Sequence, residues 1–257
     1  MDPTLISNNL DNLRLKLSKG KSSIGSWIQL SDPSVIKILS SSNYDWLAID
    51  LEHGDIEEKD LPVLTSLAHS YCPLVFARVR AAEQTFCSRA LDLGVDGIII
   101  PKIESAENLI KIRNAIYYPP DGCRGVGYSN TNLYGKYLNE HLSKVSKPFL
   151  VAMIETLEGL NNLETILKVD GLDSILIGPY DLSASLSLPG KLESKEVINA
   201  INHIKSSCQK NSIPIGIHIV EPSIDKLKAF AESGFTFIAY GIDSVFLRSS
   251  SQRPYLE

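Results

Sequence analysis

The stretch AIDLEHGD, residues 48–55, places Asp50, Glu52, His53 and Asp55 within six positions, directly after an apolar, strand-like run. An imidazole beside a carboxylate is suited to general acid–base work. Other reactive side chains also sit at the ends of apolar runs. Arg78 closes LVFAR, Lys102 follows DGIIIP, Glu155 follows FLVAMI, Asp181 lies in GPYDLS and His218 lies inside IPIGIHIV. Solubility alone does not call for an Arg or a Glu embedded in such runs. Glu155 and Asp181 together offer the hard oxygen ligands of a divalent-metal site. Mg²⁺ prefers octahedral oxygen coordination and leaves positions for water or substrate oxygens. A 2-oxo acid fills two such positions with its carboxylate and keto oxygens. Arg78 is then placed to neutralise the oxyanion formed when the keto group becomes an enolate.

These residues need elements that bring them together. The sequence predicts eight strands: Ile24–Gln29, Trp46–Asp50, Leu74–Arg78, Gly97–Pro101, Phe149–Ile154, Ser174–Ile177, Pro214–Ile219 and Phe237–Tyr240. The clearest are almost wholly apolar, as parallel strands covered on both faces must be. Helical patterns alternate with them. Asp32 and Pro33 mark one helix start, and Ser105 marks another. LDLGVDGIIIP, KVDGLDSILIGP and AESGFTFIAYG repeat one grammar of helix end, glycine turn and buried strand. The reading is an α/β protein, a closed (β/α)8 TIM barrel forming a single domain over 1–257, with an N-terminal helix in 1–22 and a long loop insertion at 119–148. A doubly wound open sheet is disfavoured, because no Gly-rich phosphate loop follows the first strand. In such a barrel the site forms at the C-terminal strand ends. Strand alternation turns Val151, Met153 and Glu155 to one face, as it does Leu74, Phe76 and Arg78, and Gly216 and His218.

Composition narrows the function classes. The chain has 257 residues, 44% of them hydrophobic, enough for one large core. The net charge is −5 with no basic block, which disfavours nucleic acid as a partner. No apolar run approaches the roughly 20 residues that span a bilayer. The first 20 residues lack the apolar centre of a secretion signal. Cys72, Cys87, Cys123 and Cys208 have no C-x-x-C spacing and read as reduced thiols. A cytoplasmic protein is expected.

The motifs DWLAIDLEH, LDLGVDGIIIPKI, YYPPDGCRGVG, VAMIET and GLDSILIGPYDLSASL, in this order, resemble the HpcH/HpaI class II pyruvate aldolases over about residues 25–247. The type activity is cleavage of 4-hydroxy-2-oxoheptanedioate and related 4-hydroxy-2-oxo acids. The resemblance implies that Glu155 and Asp181 hold a divalent metal (Mg²⁺, Mn²⁺ or Co²⁺). It implies that His53 handles the substrate hydroxyl proton with Asp50 as its partner, and that Arg78 binds the pyruvyl oxygen. It implies that the backbone of Gly178, Pro179 and Tyr180 grips the carboxylate. It further implies a homo-oligomer, a hexamer with its last helix exchanged between subunits. The substrates expected are a small 2-oxo acid and an aldehyde. The chain departs from the family pattern at Met153, where Gln is frequent, at Tyr180, where Ala is frequent, and at His218, where a small apolar residue is frequent. GYSNTNLYG also differs. These positions leave the aldehyde and the reaction direction open.

Alternatives stand beside this reading. The same superfamily includes citrate-synthase-like and CoA-ester condensing or lyase enzymes, and a non-catalytic binding barrel is a further possibility. Lys102 is a candidate for Schiff-base chemistry without metal. Arg78 is alternatively a structural ion pair to Glu155 or Asp50, and His218 a core histidine. Glu52 and Asp55 read as structural, Asp55 as a cap for the following helix. His69, His141 and His203 are expected to face solvent. Arg124 reads as an anchor for the long loop or a subunit contact.

Overall fold

A computed structural model describes residues 3–144 and 147–253. The expected helix 1–22, loop 119–148 and domain 1–257 therefore each include positions outside the described residues. Eight strands form a closed barrel in sequence order: β1 Ser23–Ile28, β2 Trp46–Asp50, β3 Val75–Arg78, β4 Gly97–Ile100, β5 Phe149–Ile154, β6 Ser174–Ile177, β7 Ile215–Ile219 and β8 Phe237–Ile242. Every ladder, including the closing β1–β8 pair, is parallel. Helices occupy the connections, which gives the (β/α)8 architecture. β2, β5 and β6 have the expected bounds. The others differ by one or two residues at an end, with Gln29 falling just beyond β1.

The apolar strands split by alternation into two cores. Leu47, Ile49, Ile98, Ile100, Leu150, Ala152, Ile154, Ile175 and Ile177 face outward into the layer beneath the helices. Trp46, Ala48, Phe76, Ile99, Phe149, Val151, Met153, Leu176, Phe237 and Ala239 fill the barrel. Four of these rings make an aromatic layer low in the barrel. Trp46 stacks on Phe237 at 4.3 Å, and Phe76 on Phe149 at 5.3 Å.

The N-terminal end of the barrel is closed by the helix Pro3–Ser18. Leu10, Leu13 and Leu17 recur at helical spacing and are buried with the barrel interior. Its polar residues hold to positions that precede strands. Asn9 donates to the Pro73 carbonyl, Lys16 to Asp45, and Arg14 to Asp173 and the Lys147 and Pro148 carbonyls. With one end plugged, only the C-terminal end is left to hold a site.

The cap expectations hold: the Asp32 side chain accepts from the Ser34 and Val35 amides, and Ser105 accepts from Asn108. Asp55 does not cap. It is exposed, and Glu57 and Asp60 form the capping box at the next turn, Glu58–Asp60. The segment 119–148 is not a bare loop. It carries a 3₁₀ turn, Asn130–Asn132, and a helix, Leu138–Lys144. Fully buried Asn132 organises it, accepting from the Ser129 and Gly135 amides and donating to the Gly127 carbonyl. Arg124 anchors it through Asp92 at 2.7 Å.

Two histidines expected in solvent are withdrawn from it instead, His141 buried and His69 partly so. His69 lies 2.7 Å from Asp96, and His141 packs edge-on against Tyr118. In each case the partner of the ring is distant in sequence, a carboxylate for His69 and a tyrosine ring for His141. His203 is exposed, as expected. The four cysteines are free.

Candidate active site

Parallel register places the ends of β2 and β3 side by side, with Asp50 paired to Arg78 across the ladder. Both side chains turn inward. Arg78 Nε donates to Asp50 Oδ1 at 2.9 Å and Nη2 donates to Oδ2 at 2.7 Å, a bidentate ion pair. Asp50 is fully buried and also accepts from Gln29 Nε2 at 2.9 Å and from the Glu52 and His53 amides. Burial pushes the Asp50 carboxyl up, but Arg78, Gln29 and the His53 amide outweigh it and hold it below the ordinary carboxylate range.

This geometry corrects one expected role. Asp50 is not the partner of the His53 ring. It is committed to Arg78 and meets His53 only at the backbone amide. The carboxylate beside the imidazole belongs to Glu52, 3.9 Å from Nε2, and the His53 side chain is 55% exposed. Glu52, read as merely structural, is part of the site. Its Oε2 lies 3.2 Å from Arg78 Nη1 and its Oε1 lies 3.4 Å from Lys102 Nζ. Of the alternatives for Arg78, an ion pair with Asp50 is present. Only two of the five guanidinium N–H groups are spent on it.

Two strands on from Arg78, Glu155 follows β5 and is 1% exposed. Its Oε1 accepts from the Lys102 amide at 2.8 Å. Lys102 holds this amide in place with a left-handed backbone, φ 50°. Oε2 is buried without a hydrogen-bond partner. It lies against Gly178, where any Cβ would overlap it, so that position requires glycine. Burial pushes the Glu155 carboxyl up to about 7; the charges of Asp181 and Glu52 add to this, while the Lys102 amide and Arg78 oppose it. Asp181 stands in the first turn of the helix Pro179–Ser185, near enough for its charge to act on Glu155. An orphaned buried carboxylate oxygen with a second carboxylate nearby suits a divalent cation. Among the described residues no cluster of three or more His, Cys, Asp or Glu side chains forms a cage. Two carboxylates alone would leave the remaining positions of a cation to water and substrate oxygens.

With the fold and this geometry in view, comparison with known proteins is decisive. The family described as HpcH/HpaI aldolase/citrate lyase matches residues 23–250, from the first strand to the last helix. The chain belongs to this family. A 5-keto-4-deoxy-D-glucarate aldolase of Klebsiella pneumoniae is 31% identical over 255 residues, 98% of this chain and 97% of its own length. A 4-hydroxy-2-oxovalerate aldolase of Rhodococcus jostii is 30% identical, covering 93% of this chain and 92% of its own. The crystal structure of a family protein from Burkholderia cenocepacia shares the fold, with a TM-score of 0.87 at 24% identity over 93% of this chain and 96% of that one.

In this aldolase-family chain the remaining candidates fall as follows. Met153 is buried, facing inward one layer below Glu155. Gly178 and Pro179 begin the turn after β6, and Tyr180 is half exposed beside them. His218 faces inward near the end of β7, stacked on Trp27 at 5.0 Å. Lys102 is 54% exposed in its side chain and lies beside Glu52, unlike the desolvated setting of a Schiff-base lysine. Two site residues were missed, Gln29 and Trp27. Gln29 bridges Asp50 and Ser244, and Trp27 lies under Arg78 with the guanidinium carbon 4.5 Å from its ring. Their signal was the inward alternation Gly25, Trp27, Gln29.

Proposed function

We propose that the protein is a metal-dependent carbon–carbon lyase that cleaves a 4-hydroxy-2-oxo acid to pyruvate and an aldehyde, reversibly. The observation that carries this is the unpartnered Oε2 of Glu155 at the same barrel end as the Arg78–Asp50 ion pair. The family membership and the aldolase names of the relatives support it. Glu155 and Asp181 would hold a divalent cation such as Mg²⁺, Mn²⁺ or Co²⁺. When bound, that ion supplies Lewis-acid polarisation of the 2-oxo group.

The chain's own residues supply the rest. The backbone at Gly178–Tyr180 binds the carboxylate. Arg78, fixed by Asp50, donates to the keto oxygen as charge grows on it. His53, beside Glu52, takes the proton of the 4-hydroxyl group. The O–H electron pair forms the aldehyde carbonyl, the C3–C4 bond breaks, and its electron pair passes to the pyruvate enolate. Protonation at C3 completes pyruvate. Addition runs the same steps in reverse.

The test is release of pyruvate from short 4-hydroxy-2-oxo acids by the purified protein. Pyruvate release that depends on added metal supports the reading. Thiol release from acetyl-CoA with oxaloacetate, and no pyruvate, would replace it with the condensing alternative.

A further inference from the structure

His218 carries a consequence that extends the aldol reading and rests on it. The ring lies on the inward face of β7, stacked on Trp27 with 12° between planes. Its Nε2 is 3.2 Å from the Gly241 carbonyl oxygen. A carbonyl oxygen only accepts, so Nε2 carries the hydrogen of this bond. Gly241 presents that carbonyl with φ +70°, and a Cβ there would overlap Phe246. The acceptor is therefore built into the backbone. Burial lowers the ring's pKa to about 4 and Arg78 acts in the same direction, outweighing the Gly241 bond and the charge of Asp50. A neutral ring with hydrogen on Nε2 leaves a bare lone pair on Nδ1. That atom makes no hydrogen bond to any described residue, and His218 as a whole is partly exposed.

His218 also stands beside the site already described. The indole it stacks on also lies under the Arg78 guanidinium. Met153, Ala239 and Trp27, also inward-facing, offer no acceptor for a hydroxyl hydrogen. We propose that His218 determines specificity: with Nε2–H committed to Gly241, its Nδ1 is a fixed acceptor at the barrel mouth that selects an aldehyde half bearing a hydroxyl donor over an alkyl one.

The test compares carbon–carbon bond formation between pyruvate and either glycolaldehyde or propionaldehyde, which differ by hydroxyl for methyl. The full chain is assayed with Mg²⁺ or Mn²⁺, and the quantity read is the ratio of the two kcat/KM values. In His218→Phe, which keeps a ring on Trp27 and has no acceptor, the ratio is expected to fall about tenfold, the loss of one hydrogen bond. In His218→Asn, whose Oδ1 can replace Nδ1, it stays within about threefold of the wild type. An unchanged ratio in His218→Phe overturns the proposal. If that variant does not fold, His218→Leu gives the same reading. Nitrogen-15 NMR of the metal-free protein checks the tautomer without turnover: hydrogen on Nε2 is expected, and hydrogen on Nδ1 overturns the assignment. Absence of pyruvate methyl-proton exchange in the wild type would instead remove the aldol reading beneath it.

Discussion

Glu155 combines features that a purely structural residue would not keep. Its carboxylate is buried, one oxygen has no partner, and the neighbouring charges of Asp181 and Glu52 are of the same sign. With a folded pKa near 7 against 4.5 in the unfolded chain, it holds a proton in the folded state between these values. Stability from this group thus declines as pH rises from 4.5 through 7. Above pH 7 the bare charge is a net cost unless a cation sits against it. Glu155→Gln should therefore raise the melting temperature of the chelated protein at pH 8, and abolish the further rise that Mg²⁺ or Mn²⁺ gives the wild type. Differential scanning calorimetry reads both. A variant as metal-responsive as the wild type would remove Glu155 as a ligand. At this scale much of the site was legible. Asp50, Arg78, Glu155 and His218 are polar residues at inward positions near apolar strand ends, and inward alternation is visible in one chain segment. Of their partners, the Arg78–Asp50 pair was legible as an alternative, and the contacts of Glu52 were not. Glu52 meets both Arg78 and Lys102 only through the turn after β2 and the register of its neighbours. Hence Glu52, and not Asp50, is the carboxylate that lies near the His53 ring.

At the scale of elements, the strands and their caps follow local rules and were legible nearly to the residue. The segment 119–148 was not, because its order comes from distant contacts. Asn132 is satisfied only once the loop has closed around it, and Asn130 donates to the Leu93 carbonyl. His141 seats the helix Leu138–Lys144 against Tyr118, and burial lowers its pKa to about 4, with Arg124 acting alike and Asp92 opposing. A neutral buried histidine contributes stability that is fully present above its unfolded value of 6.5 and is lost as pH falls towards 4. The loss is at most roughly 3 kcal/mol. Urea titrations of wild type and His141→Phe between pH 7 and pH 4 measure it. The difference in stability between the two should narrow on acidification, since the phenylalanine has nothing to protonate. A difference independent of pH would show that His141 does not titrate in this window. Reading the difference isolates this group from Glu155, which acts in the opposite sense.

The whole molecule is a barrel plugged at its N-terminal end by the helix Pro3–Ser18 and open at the other, so its polar strand ends can serve only one mouth. No described helix is long and apolar enough to cross a membrane. Val126, Tyr128, Leu133 and Tyr134 are exposed on the segment that Asn132 bonds together, and Leu247 is exposed on the last helix, Asp243–Ser250. Exposed apolar groups gathered on one segment favour association, and we expect a homo-oligomer. Light scattering should return a multiple of the 28.3 kDa chain mass. A monomer at working concentration would refute this. The central claim, enolate formation assisted by a metal held at Glu155 and Asp181, needs no knowledge of the aldehyde to be tested. Pyruvate in deuterated water, followed by proton NMR, should lose its methyl signal in the presence of the protein. A chelator should stop the exchange, and Mg²⁺, Mn²⁺ or Co²⁺ should restore it. Exchange that ignores the chelator and is trapped by borohydride would contradict the account and point to Lys102.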